Sequence, residues 1–292
     1  MDLNPSASES VGKGYRPADV LTFIYFTATT AVLLAAGDRG PRWWGVFALH
    51  AAILGGVFCL RFVPRNGPKI VAVLRDWYPV ALLPYLYGEI AYLNQLHVSG
   101  YFDSQIIALE LALFKTHAAV HLREWLPYTL LSEYLHASYL LYLGLVPGCA
   151  FFFYLRGRRK DFRVFVSTIL LTFFPCFIVF ILYPVAGPYY TFARPDPAAL
   201  GPFFSRISHW VVQGGSSEGA AFPSSHVAVA LACALAARKL DRRLFFWILP
   251  IAAGVPVAVI YGGFHYAVDS IAGLAAGFLF GSLGPRVYRL LA

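Results

Sequence analysis

Apolar residues fall along this chain in long blocks rather than alternating with polar ones. Eight blocks stand out, at roughly 20–37, 43–60, 77–96, 129–155, 164–185, 224–237, 244–261 and 266–284. A helix rises about 1.5 Å per residue, so about 20 apolar residues cross the hydrocarbon of a bilayer. The pattern predicts an all-α, polytopic membrane helix bundle with about eight transmembrane helices. Pro79, Pro84 and Glu89 interrupt the third block. The sixth is short, which predicts that its N-terminal end lies in a recess where polar groups line a cavity. The segment 97–128 is too charged to span, and residues 103–115 within it read as an amphipathic helix in the outer interface. No repeat or linker divides the chain. Residues 20–292 are expected to form a single integral-membrane domain. Residues 1–19 are expected to be a flexible cytoplasmic tail without the pattern of a cleaved signal peptide.

Composition agrees with the blocks. Of 292 residues, 59% are hydrophobic and only 13% charged, against about 45–50% and about 25% in soluble domains. Cys59, Cys149, Cys176 and Cys233 lie within apolar runs without metal or disulfide spacing, and read as small buried hydrophobes.

Charge then sets an orientation. The net charge is +8. Arg61, Arg65, Lys69 and Arg75 lie between the second and third blocks. Arg156, Arg158, Arg159, Lys160 and Arg163 lie between the fourth and fifth. Arg238, Lys239, Arg242 and Arg243 lie between the sixth and seventh, and Arg286 and Arg289 follow the eighth. Eight spans put all of these on one side, the cytoplasm. Both termini are then cytoplasmic, and the loop 186–222, His226 and His265 face away from it. Removing the third span would break the agreement at the first cluster. The excess of basic residues belongs to the membrane topology, and no nucleic-acid partner is expected. The plasma membrane of a bacterium is the simplest location.

Against this background a few polar positions stand out. Ala221-Phe222-Pro223-Ser224-Ser225-His226 precedes one block, and His265-Tyr266-Ala267-Val268-Asp269 opens another. His265 and Asp269 are four apart and share a helix face. Ionisable groups at the membrane edge are expensive to keep there and point to function. Either histidine alone could be a helix-cap residue; the set of His226, His265, Asp269 and Arg194 is harder to explain so. A zinc site of His, His and Asp lacks a clear fourth ligand. A transporter would hold its polar groups near the midplane of paired repeats, whereas these lie at helix ends. Glu133 with His136, and Glu89 with Asn94, read as pairs inside the bundle.

The segments resemble the signatures of the type 2 phosphatidic acid phosphatase superfamily. The first resembles Tyr183 to Pro195, ending in Arg194-Pro195; the second, Pro223-Ser224-Ser225-His226; the third, His265-Tyr266-Ala267-Val268-Asp269 followed by Gly273. Together they occupy residues 183–273. The family's lysine, seven before the arginine, falls on Gly187; its second arginine, six before the histidine, falls on Val259; its motif glycine is Ser225. These departures resemble the branch that contains inositol phosphorylceramide synthases and related lipid phosphotransferases.

The resemblance implies a six-helix-type catalytic core and a metal-independent membrane enzyme with no cofactor, acting on a lipid phosphate or phospholipid. His265 is then the expected nucleophile, forming a phosphohistidine, with Asp269 orienting it and His226 as general acid and base. Arg194, Ser224 and Ser225 are expected to bind phosphate, with Arg206 as a substitute cation. Two outcomes stay open: hydrolysis of a phosphoester or diphosphate, or transfer of a phospho-head group to a lipid or polyol hydroxyl.

Overall fold

The computed structural model describes residues 14–63, 68–194, 196 and 201–292. Most of the expected tail, together with Arg65 and Pro195, lies outside the described residues. Thirteen α-helices occur among the described residues. The first three are α1 (Pro17–Ala36), α2 (Pro41–Cys59) and α3 (Lys69–Leu93). Two short helices follow, α4 (Asp103–Phe114) and α5 (Ala118–Trp125). Then come α6 (Thr129–Tyr142), α7 (Leu145–Leu155), α8 (Arg159–Leu182), α9 (Pro188–Thr191) and α10 (Phe204–Gly215). The last three are α11 (Ser225–Leu240), α12 (Arg242–Tyr261) and α13 (Ala267–Leu291).

Every apolar block is helical, and the all-α class holds. The count of eight spans is not established. Among the described residues, five helices are long and apolar enough to cross a membrane: α1, α2 with its continuation to Phe62, α8, α12 and α13. The pair α6 and α7, bent by 55°, makes a sixth if taken as one span. α3 falls outside this set because it carries Arg75, Asp76 and Glu89, all buried. α11 falls outside it with 16 residues.

α11 is nonetheless the centre of the bundle, packed against α8, α12 and α13. Its alanines let the neighbours come close, and glycines on α13 complete the approach. A Cβ on Gly273 would lie 2.5 Å from the Ser224 carbonyl oxygen, and one on Gly281 3.0 Å from the Ala232 Cα. Between them Gly277 meets the Ala228 backbone in the same way. Steps of four residues keep all three on one face of α13. Small residues at this spacing bring helix backbones together in membranes. The start of α11 is thereby set beside the start of α13.

The opposite end of the bundle is tied by charge. Arg75 reaches Asp19 at 2.6 Å, and both Arg16 and Arg163 contact Asp76. Arg158 bridges Asp161 at 2.7 Å and Asp241 at 2.6 Å, while Asp241 also caps α12 through the Arg243 and Leu244 N–H groups. These contacts join the starts of α1, α3, α8 and α12. Arg75, Arg158 and Arg163 come from two of the basic clusters, and Asp241 adjoins a third, so these clusters meet at one end.

α4 is helical as expected, and its acidic face points inward. Asp103, Ile106 and Glu110 are buried, while Leu109, Leu111, Leu113 and Phe114 are exposed. The reason is that backbone N–H groups of two neighbouring loops need acceptors away from water, and these two carboxylates supply them.

Candidate active site

The site begins with a turn. After α12, the N–H groups of Phe264 and His265 both donate to the Val259 carbonyl at 3.0 Å. This curl leaves His265 immediately ahead of α13, with Asp269 one turn inside. Asp269 Oδ2 accepts the Tyr266 N–H at 2.8 Å and stands 3.4 Å from His265 Nδ1. That separation is long for a hydrogen bond, and both His265 Nδ1 and Asp269 Oδ1 lack partners among the described residues. Catalytic hydrogen bonds are often loose before substrate arrives. On the other edge of the ring, His265 Nε2 faces His226 Nδ1 at 3.4 Å. Burial pushes the His265 imidazole down to about 4, so the ring is neutral at pH 7.

His226 is placed by the start of α11. Ser224 caps that helix, its hydroxyl accepting the Val227 N–H at 3.4 Å. The Ser224 N–H donates to the Asp269 carbonyl at 3.0 Å, a direct tie between the starts of α11 and α13. The His226 ring packs among Tyr139 and Tyr142, at centroid distances of 5.4 and 5.0 Å.

Two cavities meet at this residue. One of about 390 Å³ lies between α3, α6, α7, α8 and α10 and is lined by Leu83, Tyr142, Val146, Phe173 and Phe177, with Ser225 and His226. The other, about 30 Å³, is lined by both His226 and His265, with Tyr189, Ser216 and Ser217. His226 lines both.

The remaining expected residues are placed unevenly. Ser225 lines the large cavity; Ser224 lines neither. Arg194 is exposed, with its guanidinium 4.1 Å from the Tyr189 ring centroid and its Nε donating to the Tyr189 carbonyl at 3.3 Å. Tyr189 lines the small cavity, so Arg194 sits one residue removed from it. Arg206 is exposed on α10 and lines neither cavity.

The two departures from the family pattern have local causes. Gly187 has φ +94°, where a side chain is strained, and a Cβ there would lie 3.0 Å from the Ala221 Cβ and 3.2 Å from the Phe264 carbonyl oxygen. Val259 is fully buried in the main apolar core. Neither position has room for a cation.

Sequence reasoning missed two supporting residues. Asp103 accepts the Ala186 and Gly187 N–H groups, each at 2.8 Å, and the Tyr266 hydroxyl at 2.9 Å. Glu110 accepts the Ala118 N–H at 2.8 Å and the Ala267 N–H at 3.2 Å. Together they fasten the 186–187 loop and the start of α13 from α4. Their spacing of seven, two turns on one face with Ile106 between, was the available signal.

Comparison with known proteins gives a family. No curated protein and no solved structure matches the chain. The family model of the PAP2 superfamily matches residues 104–282, from α4 through most of α13. The chain therefore belongs to the PAP2 superfamily, whose members are generally phosphatases.

Proposed function

We propose that the chain is an integral-membrane lipid phosphatase that cleaves a phosphoester or diphosphate of a lipid through a phosphohistidine intermediate at the extracytoplasmic face. One observation carries the reading: His226 stands where the 390 Å³ apolar cavity meets the small cavity that holds His265. A lipid chain in the first sets its phosphate against the two imidazoles. His265 Nε2 attacks phosphorus. Asp269, on the Nδ1 side, fixes the tautomer and stabilises the positive charge that develops. His226 gives its proton to the leaving alkoxide and takes one from the attacking water. Arg194, released from Tyr189, pairs with the non-bridging oxygens. Ser225 and the free N–H groups at the start of α11 assist it, and Ser224 acts by capping that helix. Arg206 meets only the outer part of a substrate. The scheme uses no metal and no cofactor. The side follows from the basic clusters, which belong in the cytoplasm.

A second reading, transfer to a lipid or polyol hydroxyl, is favoured by the absence of cations at Gly187 and Val259 and the resemblance to the lipid phosphotransferase branch. Both share the first half-reaction. The test is purified protein in detergent with lipid phosphates, lipid diphosphates and phospholipid donors, with phosphate release and head-group transfer measured separately. His265→Ala is expected to lower both by at least about 10³-fold with the fold retained. Undiminished turnover in that variant would sink the phosphohistidine scheme.

A further inference from the structure

Behind the turn that carries His265 lies a second polar cluster with no part in the chemistry above. It consists of His136 on α6, His209 on α10 and Arg123 on α5. The two imidazoles face each other at a centroid distance of 5.6 Å. His136 is 1% exposed and His209 5%. The Nε2 atom of each is buried without a hydrogen-bond partner among the described residues. Two such orphans in one place call for a physical reason.

The chemistry of the missing partner can be read from the ring edges. His136 Nδ1 lies 2.8 Å from the Ser132 carbonyl oxygen, which can only accept. Nδ1 therefore carries the proton, and Nε2 of the neutral ring presents a bare lone pair. That lone pair wants a donor and disfavours an anion. A metal ion would satisfy it, but the Arg123 guanidinium opposes a cation there. Arg123 donates to the Ala119 carbonyl at 3.0 Å, and its Nη1 lies 3.4 Å from where a Cβ on Gly263 would stand. Its charge, after burial and His136, helps push His209 down to about 4. A neutral group with O–H donors meets all three conditions.

The cluster adjoins the reaction centre. The His209 ring lies 5.0 Å from the Phe264 ring, and Phe264 lines the small cavity beside His265. One turn further along their helices, Tyr139 and Val212 line both cavities. We infer that His136 and His209, with Arg123, form a hydroxyl-recognition subsite that takes a neutral polyol next to the phosphate site. The subsite deepens the second reading above and rests on it for its use. One hydroxyl of the polyol bonds the two imidazoles while another reaches phosphorus. The reacting oxygen bonds phosphorus as the His265–phosphorus bond breaks, and its proton passes to His226.

The test uses the full chain in detergent with glycerol as the probe. Saturation-transfer NMR is expected to report glycerol binding in the wild type and equally in His265→Ala. His136→Phe and His209→Leu each lose that signal; should His136→Phe fail to fold, His209→Leu decides. In the same preparations, phosphate passed to glycerol relative to water falls about tenfold in His209→Leu. No glycerol signal in the wild type, or an undiminished one in folded His209→Leu, overturns the subsite. So does zinc binding at these residues that glycerol fails to displace. Absence of phosphate release from every lipid phosphate, with glycerol binding intact, overturns the lipid-phosphatase reading and leaves the subsite standing.

Discussion

Burial holds the His265 ring down to about 4, so the ring stays neutral, with one N–H and one lone pair, well into acid. An exposed imidazole would titrate near 6.5. The folded state thus favours the neutral form. Its contribution to stability is complete above about 6.5 and is lost as pH falls from there through about 4. The expected result is a His265 ring titration by NMR, assigned with His265→Asn, whose midpoint lies well below 6; a midpoint near 6.5 would show a solvated ring. At this scale the groups proposed to react were singled out in the sequence, because His226, His265 and Asp269 are ionisable residues at the starts of apolar blocks. Asp103 and Glu110 were not. The sequence placed them on a helix at the interface without a role, and only the folded loops reveal the N–H groups they serve. Arg194 was legible as a candidate, yet its packing on Tyr189 could not be read from its neighbours in the chain.

Two helices fix the distance between the histidines, and the contact between them depends on what α13 lacks. Gly273 lies against the Ser224 carbonyl at the level of the site, and Gly281 against Ala232 two turns deeper. Adding one methyl group to Gly273 must move the start of α11, and with it His226. Overpacking of this kind costs about 1–3 kcal/mol. Gly273→Ala is therefore expected to lower kcat more than Gly281→Ala does, at comparable loss of thermal stability in detergent. Equal kcat in the two variants would detach the glycine contact from the spacing of the histidines. The sequence displayed these glycines but not their partner, since α11 reads as a short, weakly apolar segment. Its alanines are what allow the approach, and its 16 residues are what leave it short of a span. Gly187 carries the same lesson in a loop. What reads as a missing lysine is a backbone position whose φ and neighbours exclude a side chain.

The large cavity is a property of the whole molecule, drawn from six helices, α3, α6, α7, α8, α10 and α11; the short sixth block announced a recess at its own start but not these walls. Leu143 stands at its wall and is itself 48% exposed, so a larger residue there can narrow the cavity without disrupting the core. Leu143→Trp is expected to raise KM for long-chain lipid phosphates several-fold, with little change for a short, water-soluble phosphoester. A parallel change for both substrates would mean that the cavity does not receive the chain.

The meeting of the two cavities at His226 has a further consequence. Under the proposed chemistry, the scissile bond lies across a boundary between oil and water. Its two fragments part differently: the lipid alcohol remains with the hydrocarbon, while the phosphoryl group stays on His265 until water releases it to the aqueous side. Recombination would require both to return to a single point from different phases. The architecture would thereby give direction to the reaction by sorting its products, independently of how fast the bond is broken.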